Sequence, residues 1–225
     1  MEVLPIIVLT LQIALVATVI DVPFAIGLSW LIIKKRVPGS FVLDILASLP
    51  LAVPPVVVGY LLLILLGRNG PVGGIIQSVF GTDIVFTWLA AAMAASIVSF
   101  PLMARTIMVS MRGVDEGLER SARSLGASAW RVLFTITIPL AYRGILAGVL
   151  LGFVRAMSEF GATIVVAGNI PGRTQTLPLA IFSRVQLGDN EVALRLVAVS
   201  IGLAVITLAL HNWLLERSQP GPEVT

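Results

Sequence analysis

The sequence predicts an all-α integral membrane protein with five transmembrane helices. Two observations carry this prediction. Of the 225 residues, 57% are hydrophobic and only 12% are charged, whereas soluble domains carry about 25% charged residues. The apolar residues also form five long runs, and about 20 apolar residues can cross the hydrocarbon core as a helix. We therefore expect residues 1–225 to form a single transmembrane domain.

Several classes of protein are excluded by residues that the chain lacks. It has no cysteine, which excludes disulfides, thiol catalysis and thiolate metal sites. No histidine or carboxylate cluster has the spacing of metal ligands, so we expect no metal site. The phosphate-binding pattern G-x-x-x-x-G-K-[ST] does not occur, so the chain is not expected to hydrolyse ATP or to be an enzyme. Basic residues stand at the ends of apolar runs rather than on one polar face, and we expect no nucleic-acid partner.

The longest connection between the apolar runs follows the third. In order, they are residues 5–33, 45–66, 84–108, 140–166 and 192–215. The first lacks a preceding basic segment and is longer than the apolar part of a signal peptide, so we expect it to remain as a signal-anchor helix. Residues 67–71 read as a turn. A re-entrant segment at 72–80 stays open as an alternative.

The distribution of basic residues predicts the orientation. Cytoplasmic loops carry an excess of lysine and arginine. Two connections have such an excess, through Lys34, Lys35 and Arg36 after the first run and through Arg112, Arg120, Arg123 and Arg131 after the third. We therefore expect both in the cytoplasm, the N-terminus outside and the C-terminus inside. The loop 167–191 is then outside, although it carries Arg173 and Arg184.

The polar insert at about 113–139 predicts a short helix, a glycine turn and a second helix. Asp115 and Ser128 can cap the two helices, and Gly126 interrupts the first. Apolar residues recur at helical spacing on one face, namely Leu118, Ala122, Leu125 and Ala129. Glu119, Arg120 and Arg123 lie largely off that face. A helix on lipid headgroups would favour a basic polar face, and this mixture of acids and arginines favours a protein partner.

The same insert resembles the signature loop of ABC importer permeases. That motif reads Glu-Ala-Ala, three residues, Gly, and about nine residues later Ile-x-Leu-Pro. Residues 120–128 and 136–140 follow it, with Ala122 and Gly126 at the second alanine and the glycine. Arg120 stands where the glutamate usually stands, and Ser121 replaces the first alanine. Four further segments, 54–60, 99–103, 158–163 and 168–178, resemble molybdate permeases, and sulfate and tungstate permeases share part of these patterns.

The resemblance implies a type I ABC importer permease fold and a function. The chain would be the permease subunit of an ATP-driven, binding-protein-dependent molybdate importer, with sulfate, thiosulfate or tungstate as alternative cargo. It would form a homodimer in a prokaryotic inner membrane, with two cytoplasmic ATPase subunits that use ATP and Mg and an extracytoplasmic oxyanion-binding protein. This chain itself would bind no cofactor. The expected ATPase-coupling residues are Asp115, Leu118, Glu119, Arg120, Ser121, Ala122, Arg123, Leu125, Gly126, Ala127 and Ser128.

A second set of residues is predicted to line a pathway or gate. These are Ser99, Arg155, Ser158, Glu159, Phe160, Gly161, Thr163, Asn169, Pro171 and Gly172. Arg155 and Glu159 are four residues apart and are expected to share a helix face. Ionisable residues within a span indicate function, although this pair could equally pack the bundle or sit at the outer interface. Asp21 has no obvious partner in the sequence, and a water-filled cavity or an arginine on a neighbouring helix are both open.

Two other functions compete with the importer. A stand-alone secondary transporter would want inverted repeats and ion ligands at the membrane midplane, and neither is visible. A non-transporting anchor subunit would not need six prolines in or beside spans together with a mixed-charge docking loop.

Gly144, Gly148 and Gly152 recur at four-residue spacing, a pattern that lets helices pack closely.

Overall fold

A computed structural model of the protein describes residues 3–33 and 38–216. The basic cluster predicted to mark the cytoplasm, Lys34, Lys35 and Arg36, lies outside the described residues. The helices in chain order are α1 Val3–Ile33, α2 Ser40–Ala52, α3 Pro55–Leu66, α4 Pro71–Phe80, α5 Trp88–Arg112, α6 Glu116–Ser124, α7 Ala129–Val132, α8 Ile138–Met157, α9 Gly161–Val166, α10 Leu177–Gln186 and α11 Asn190–Glu216.

Four stretches of the described chain are long and apolar enough to cross a membrane as single helices. They are Val3–Ile33, Trp88–Arg112, Ala129–Met157 and Asn190–Trp213. The predicted membrane-spanning, all-helical architecture is confirmed. The third run starts later than expected, at Trp88, because Thr87 caps the helix by accepting a hydrogen bond from the Ala90 N–H at 3.4 Å.

The second apolar run departs most from expectation. It was predicted as one continuous span, and this is wrong, because α2 and α3 meet at an angle of 109°. Pro54 and Pro55 cause the break, since proline has no N–H and keeps the residue before it extended. Val53 is indeed extended, with φ −95° and ψ 136°. The described chain therefore has four helices that can cross a membrane, or five candidate spans if this bent pair counts as one broken span.

Helix α4 covers residues 72–80, for which the sequence allows a re-entrant segment. It has only 10 residues, too few to cross a hydrocarbon core of about 30 Å. Its Gly73 lies against the end of α3, where an added Cβ would come within 2.1 Å of the Leu66 carbonyl oxygen. Helix α4 is thus a short helix folded back onto α3.

The fourth span ends earlier than the predicted run, 140–166, whereas the second helix that Ser128 was expected to cap leads into it as predicted. Its helix begins at Ala129 because Ser128 Oγ accepts from the Arg131 N–H at 3.3 Å. It continues through a π-helical turn, Leu133–Thr137, into α8. The Ile138 N–H bonds to the Leu133 carbonyl five residues back, and this wider turn precedes Pro139, which has no N–H to donate. The helix then ends at Met157, and α9 is separate.

Helix α5 is the centre of the bundle and packs against α1 on one side and α8 on the other. Its alanines make this possible, with Ala90, Ala91, Ala94 and Ala95 fully buried. The glycines of α8 face it. A Cβ at Gly144 would lie 2.6 Å from Ser110 Cβ, so larger residues would force the helices apart. The prediction that these glycines serve helix packing is confirmed.

Candidate functional site

The first region of interest is the polar element, defined here as residues 115–137, which joins α5 to α8. Asp115 Oδ1 accepts from the Gly117 N–H at 2.7 Å, so the predicted cap of α6 is confirmed. Gly126 has φ +88°, a left-handed conformation that glycine adopts without steric cost. The Ala127 N–H then returns to the Ala122 carbonyl at 3.1 Å. The predicted helix, turn and second helix are all present.

Helix α6 lies with its apolar residues turned away from the rest of the chain. Leu118 is 50% exposed and Leu125 is 89% exposed. Glu119, by contrast, is only 5% exposed, and its Oε1 accepts a hydrogen bond from Thr137 Oγ1 at 2.6 Å. The expectation that Glu119 belongs to an exposed mixed-charge face is therefore wrong, because this carboxylate fastens α6 to the π-helical turn.

The other predicted coupling residues keep to the surface or its edge. Arg120, Ser121 and Arg123 are exposed, and Ala122 and Ala127 are half-buried. Trp130 also belongs to this region, and sequence reasoning missed it because it occupies no position of the signature motif. The centroids of the Trp130 and Trp30 rings lie 4.6 Å apart. The element therefore presents exposed leucines among exposed arginines, outside the predicted spans.

The second region is the gate segment, defined here as residues 158–176, which follows the end of α8. Glu159 is 3% exposed. Its Oε2 lies 3.0 Å from Arg155 Nη1, and its Oε1 accepts from the Ala162 N–H at 2.8 Å. The predicted pair is confirmed, but its members do not share one helix, because Glu159 lies beyond the end of α8 and caps α9. Both carboxylate oxygens therefore have partners within this chain.

Helix α9 rests on α3 at very short range. A Cβ at Gly59 would come within 2.6 Å of the Ala162 carbonyl oxygen, and one at Gly161 within 3.1 Å of Pro55 Cβ. Thr163 is 1% exposed. Two predicted gate residues, Gly161 and Thr163, thus belong to a helix contact that holds α9 against α3. Phe160 lies beside them with its ring 5.1 Å from that of Phe182.

The loop after α9 is held by its own side chains. Asn169 donates to Ser183 Oγ at 2.6 Å and accepts from Gln175 Nε2 at 2.9 Å. Thr174 Oγ1 accepts from the Ile170 N–H at 3.0 Å. Pro171 and Gly172 form the exposed tip. Gly172 has φ +75°, which suits a tight turn. The loop is thus a fixed polar structure with an exposed tip.

Three hydroxyl groups, of Ser96, Ser99 and Thr10, form hydrogen bonds between helices. These hydroxyl groups lie on α1 and α5, and they join α1 to α5 and to α10. Ser96 Oγ and Ser99 Oγ donate to the two carboxylate oxygens of Asp21, at 2.5 and 2.8 Å. Both alternatives for Asp21, a cavity and an arginine, are therefore replaced by a pair of serines. Ser99 is fully buried and joins α1 to α5 rather than lining an open path. Near the other end of α1, Thr10 Oγ1 accepts from the Leu177 N–H at 2.9 Å.

The two regions lie at opposite ends of α1. Trp30 contacts the polar element and Thr10 contacts the start of α10. Twenty helical residues separate them, which corresponds to about 30 Å, the thickness of the hydrocarbon core. In residues 3–33 and 38–216, no three His, Asp or Glu side chains are grouped as a metal ion would require.

Comparison with known proteins agrees with this architecture. Residues 21–219 match the family described as binding-protein-dependent transport system inner membrane component. The chain is 45% identical over 212 residues to the molybdenum transport system permease protein ModB of Escherichia coli K12, covering 94% of this chain and 93% of that protein. It is 33% identical over 208 residues to the sulfate transport system permease protein CysT of the same strain, covering 92% and 75%.

A solved structure shares the fold. The crystal structure of an amino acid ABC transporter with histidines matches with a TM-score of 0.64 at 21% identity, covering 94% of this chain and 92% of that one. Such a low identity shows the fold alone. The family match extends over most of the chain, and its members are transport components rather than enzymes. The chain belongs to the family of binding-protein-dependent transport system inner membrane components.

Proposed function

We propose that this chain is the permease subunit of an ATP-driven importer of molybdate. Support for the cargo comes from its relatives, since its identity to the molybdenum permease is 45% and to the sulfate permease of the same organism 33%. Tungstate and sulfate are tetrahedral dianions like molybdate, and they are the alternatives that an experiment has to separate.

The observation that carries the proposal is the exposed apolar face of the polar element. Leu118 lies in α6 and Leu125 at its C-terminal cap. Both leucines are exposed beside an otherwise polar helix. A helix that presents apolar anchors in this way fits the groove of a partner protein. We assign that groove to a cytoplasmic ATPase subunit, which would use ATP and Mg itself.

The rest of the assembly follows from the two ends of the molecule. A homodimer would present two polar elements to two ATPase subunits. The polar element carries exposed Arg120, Arg123 and Arg131, and by the positive-inside rule they support a position in the cytoplasm of a prokaryotic cell. The gate segment is then outside. Its exposed tip at Pro171, Gly172 and Arg173 would meet the binding protein that delivers the oxyanion.

Transport would proceed by alternating access. When ATP closes the two ATPase subunits, the polar elements approach each other and α8 moves with them, because the helix is continuous from Ala129 to Met157. The chain breaks immediately after Met157, where Arg155 and Glu159 fix the start of α9. The gate segment can therefore respond as a separate unit, and hydrolysis would reset it.

The test is the ATPase activity of the complete complex in proteoliposomes, with its binding protein and with molybdate, tungstate or sulfate added in turn. We expect stimulation by molybdate at low concentration and none by sulfate. Stimulation by sulfate alone would retain the permease and change the cargo. If no ATPase subunit co-purifies with the chain, the docking assignment fails and a stand-alone transporter has to be considered again.

A further inference from the structure

An aromatic contact joins the polar element to α1. Trp30, near the end of α1, is 3% exposed, whereas Trp130 in α7 is 58% exposed. Their ring centroids are 4.6 Å apart with planes inclined by 36°. Trp130 also stacks on Phe134, with the two ring centroids 6.2 Å apart. Phe134 is four residues further along the same helical segment, so this second contact stays within the polar element, while the first leaves it.

The polar element is braced internally, so a force on its surface would reach Trp130. Thr137 and Glu119 are both buried, and their 2.6 Å hydrogen bond ties α6 to the π-helical turn. The turn at Gly126 is closed by two backbone hydrogen bonds, from the Gly126 N–H to Arg123 at 3.0 Å and from the Ala127 N–H to Ala122 at 3.1 Å. Movement of Leu118 and Leu125 is therefore expected to displace α7 as well.

Helix α1 is the part of the bundle that the polar element reaches without covalent continuity. Helix α8 continues directly from α7, but α1 precedes the element by more than 80 residues in the chain. Trp30 is packed in the same buried cluster as Met103, Ile107 and Leu133. Further along α1, Asp21 is bound by Ser96 and Ser99, and Thr10 caps α10. A displacement of Trp30 would thus act on an element that touches the gate side.

We propose that Trp30 and Trp130 form a positioning contact that passes the movement of the polar element to α1. This inference rests on the proposed function, because it requires an ATPase subunit that moves the element. Aromatic rings are large and rigid, and pairs of them prefer a limited set of geometries. A displacement of one ring is therefore expected to move the other. The exposed face of Trp130 is then incidental, and its buried contact with Trp30 is the functional one.

The experiment uses the complete complex in proteoliposomes and three variants, Trp30→Leu, Trp130→Leu and the double variant. Two quantities are measured, the amount of ATPase subunit that co-purifies and the ratio of ATPase activity with binding protein and molybdate to basal activity. We expect co-purification to persist in all three variants, basal activity to persist in Trp30→Leu, and the ratio to fall about 2- to 10-fold in each single variant. The double variant should fall no further, since each single change already removes the contact.

Controls separate this contact from a general loss of packing. Phe134→Leu removes the other ring against Trp130 without touching α1, and its ratio should stay within about twofold of the unmodified chain. Trp30→Phe and Trp130→Phe keep a ring and should recover most of the ratio. If Trp30→Leu fails to fold, the comparison of Trp30→Phe and Trp130→Phe with the unmodified chain still tests whether the contact matters.

Three outcomes would overturn the inference. In the first, the losses of the single variants multiply in the double variant, so that the two residues act independently. In the second, Trp130→Leu loses co-purification while Trp30→Leu is normal, which would assign Trp130 to the ATPase interface. In the third, all ratios are unchanged. An unmodified complex that never binds an ATPase subunit would instead remove the proposed function, and this inference with it.

Discussion

The polar element exposes large apolar side chains, whereas the gate segment buries polar ones. In the polar element, Leu125 is 89% exposed. In the gate segment, Thr174 and Gln175 are 0% and 4% exposed and are hydrogen-bonded. An exposed large apolar residue marks a surface that a partner covers, whereas buried polar groups persist where they are hydrogen-bonded. The first region is thus built to bind, and the second to hold its own shape.

This difference predicts different consequences of mutation. A change on the polar element's surface should alter association and leave the stability of the chain intact. A change in the gate segment should alter stability, because its polar groups bond to one another and to α10. The following predictions test that division, beginning with the largest expected effect.

Replacing Leu125 with Asp should weaken binding of the ATPase subunit by about 30- to 1,000-fold, the range of a central interface residue. The unfolding temperature in detergent should not change, since the side chain touches little of its own chain. Leu187→Asp is a matched control, because Leu187 is 74% exposed at the end of α10, on the gate side. Equal loss of binding in both variants would contradict the division.

Replacing Glu159 with Ala should lower the free energy of unfolding by about 3 kcal/mol. The change leaves Arg155 without its carboxylate and removes the acceptor for the Ala162 N–H. Thermal unfolding in detergent measures this loss. Glu159→Gln retains an acceptor oxygen and should lose less. If Glu159→Ala is as stable as the unmodified chain but cannot transport, the residue is a gate contact rather than a structural cap.

Replacing Gly59 with Ala should destabilise the chain by about 2 kcal/mol, because the new Cβ has to displace α9. The nearest atom, the Ala162 carbonyl oxygen, would be 2.6 Å away. Gly27→Ala provides the control, since nothing lies within 4 Å of a Cβ there. That variant should be neutral, or stabilised by up to about 1 kcal/mol through helix propensity. Comparable unfolding temperatures for the two variants would mean that α9 is not held by α3.

The smallest effects should have opposite signs at two threonines. Thr10→Val removes the acceptor for the buried Leu177 N–H and should cost about 1 to 2 kcal/mol. Thr176 Oγ1 is buried and has no hydrogen-bond partner among the described residues. Thr176→Val should therefore be neutral or stabilising by up to about 1 kcal/mol. Unfolding temperatures of the two variants, measured side by side, give the comparison, and a loss at Thr176 would show that its hydroxyl is in use.

Local signals in the sequence predicted the features that depend on neighbouring residues. Asp115 and Ser128 were expected to cap helices and do so. Gly126 was expected to interrupt α6 and adopts φ +88°. The glycines of α8 were expected to pack against another helix, and they face α5. Capping, glycine turns and small-residue spacing each act over a few residues, so the sequence contains all the information that they need.

Errors arose where a long-range partner decides the outcome. Glu119 looked like part of an exposed charged face, but its hydroxyl partner, Thr137, is 18 residues away. Trp130 matched no motif, and its partner Trp30 is 100 residues earlier in the chain. Pro54 and Pro55 were visible, yet proline in a span permits anything from a slight kink to the observed 109° bend.

The sequence alone therefore determined that the chain is a helical membrane protein, where the polar element lies and how its two helices are capped. Composition, run length and local hydrogen bonding decide these properties. Only the tertiary structure decided which way α6 faces, that Glu159 caps a separate helix, and that two serines bind Asp21. Each of these depends on side chains from distant segments that meet only when the bundle packs, because a buried polar group takes whichever partner the fold brings within hydrogen-bond distance.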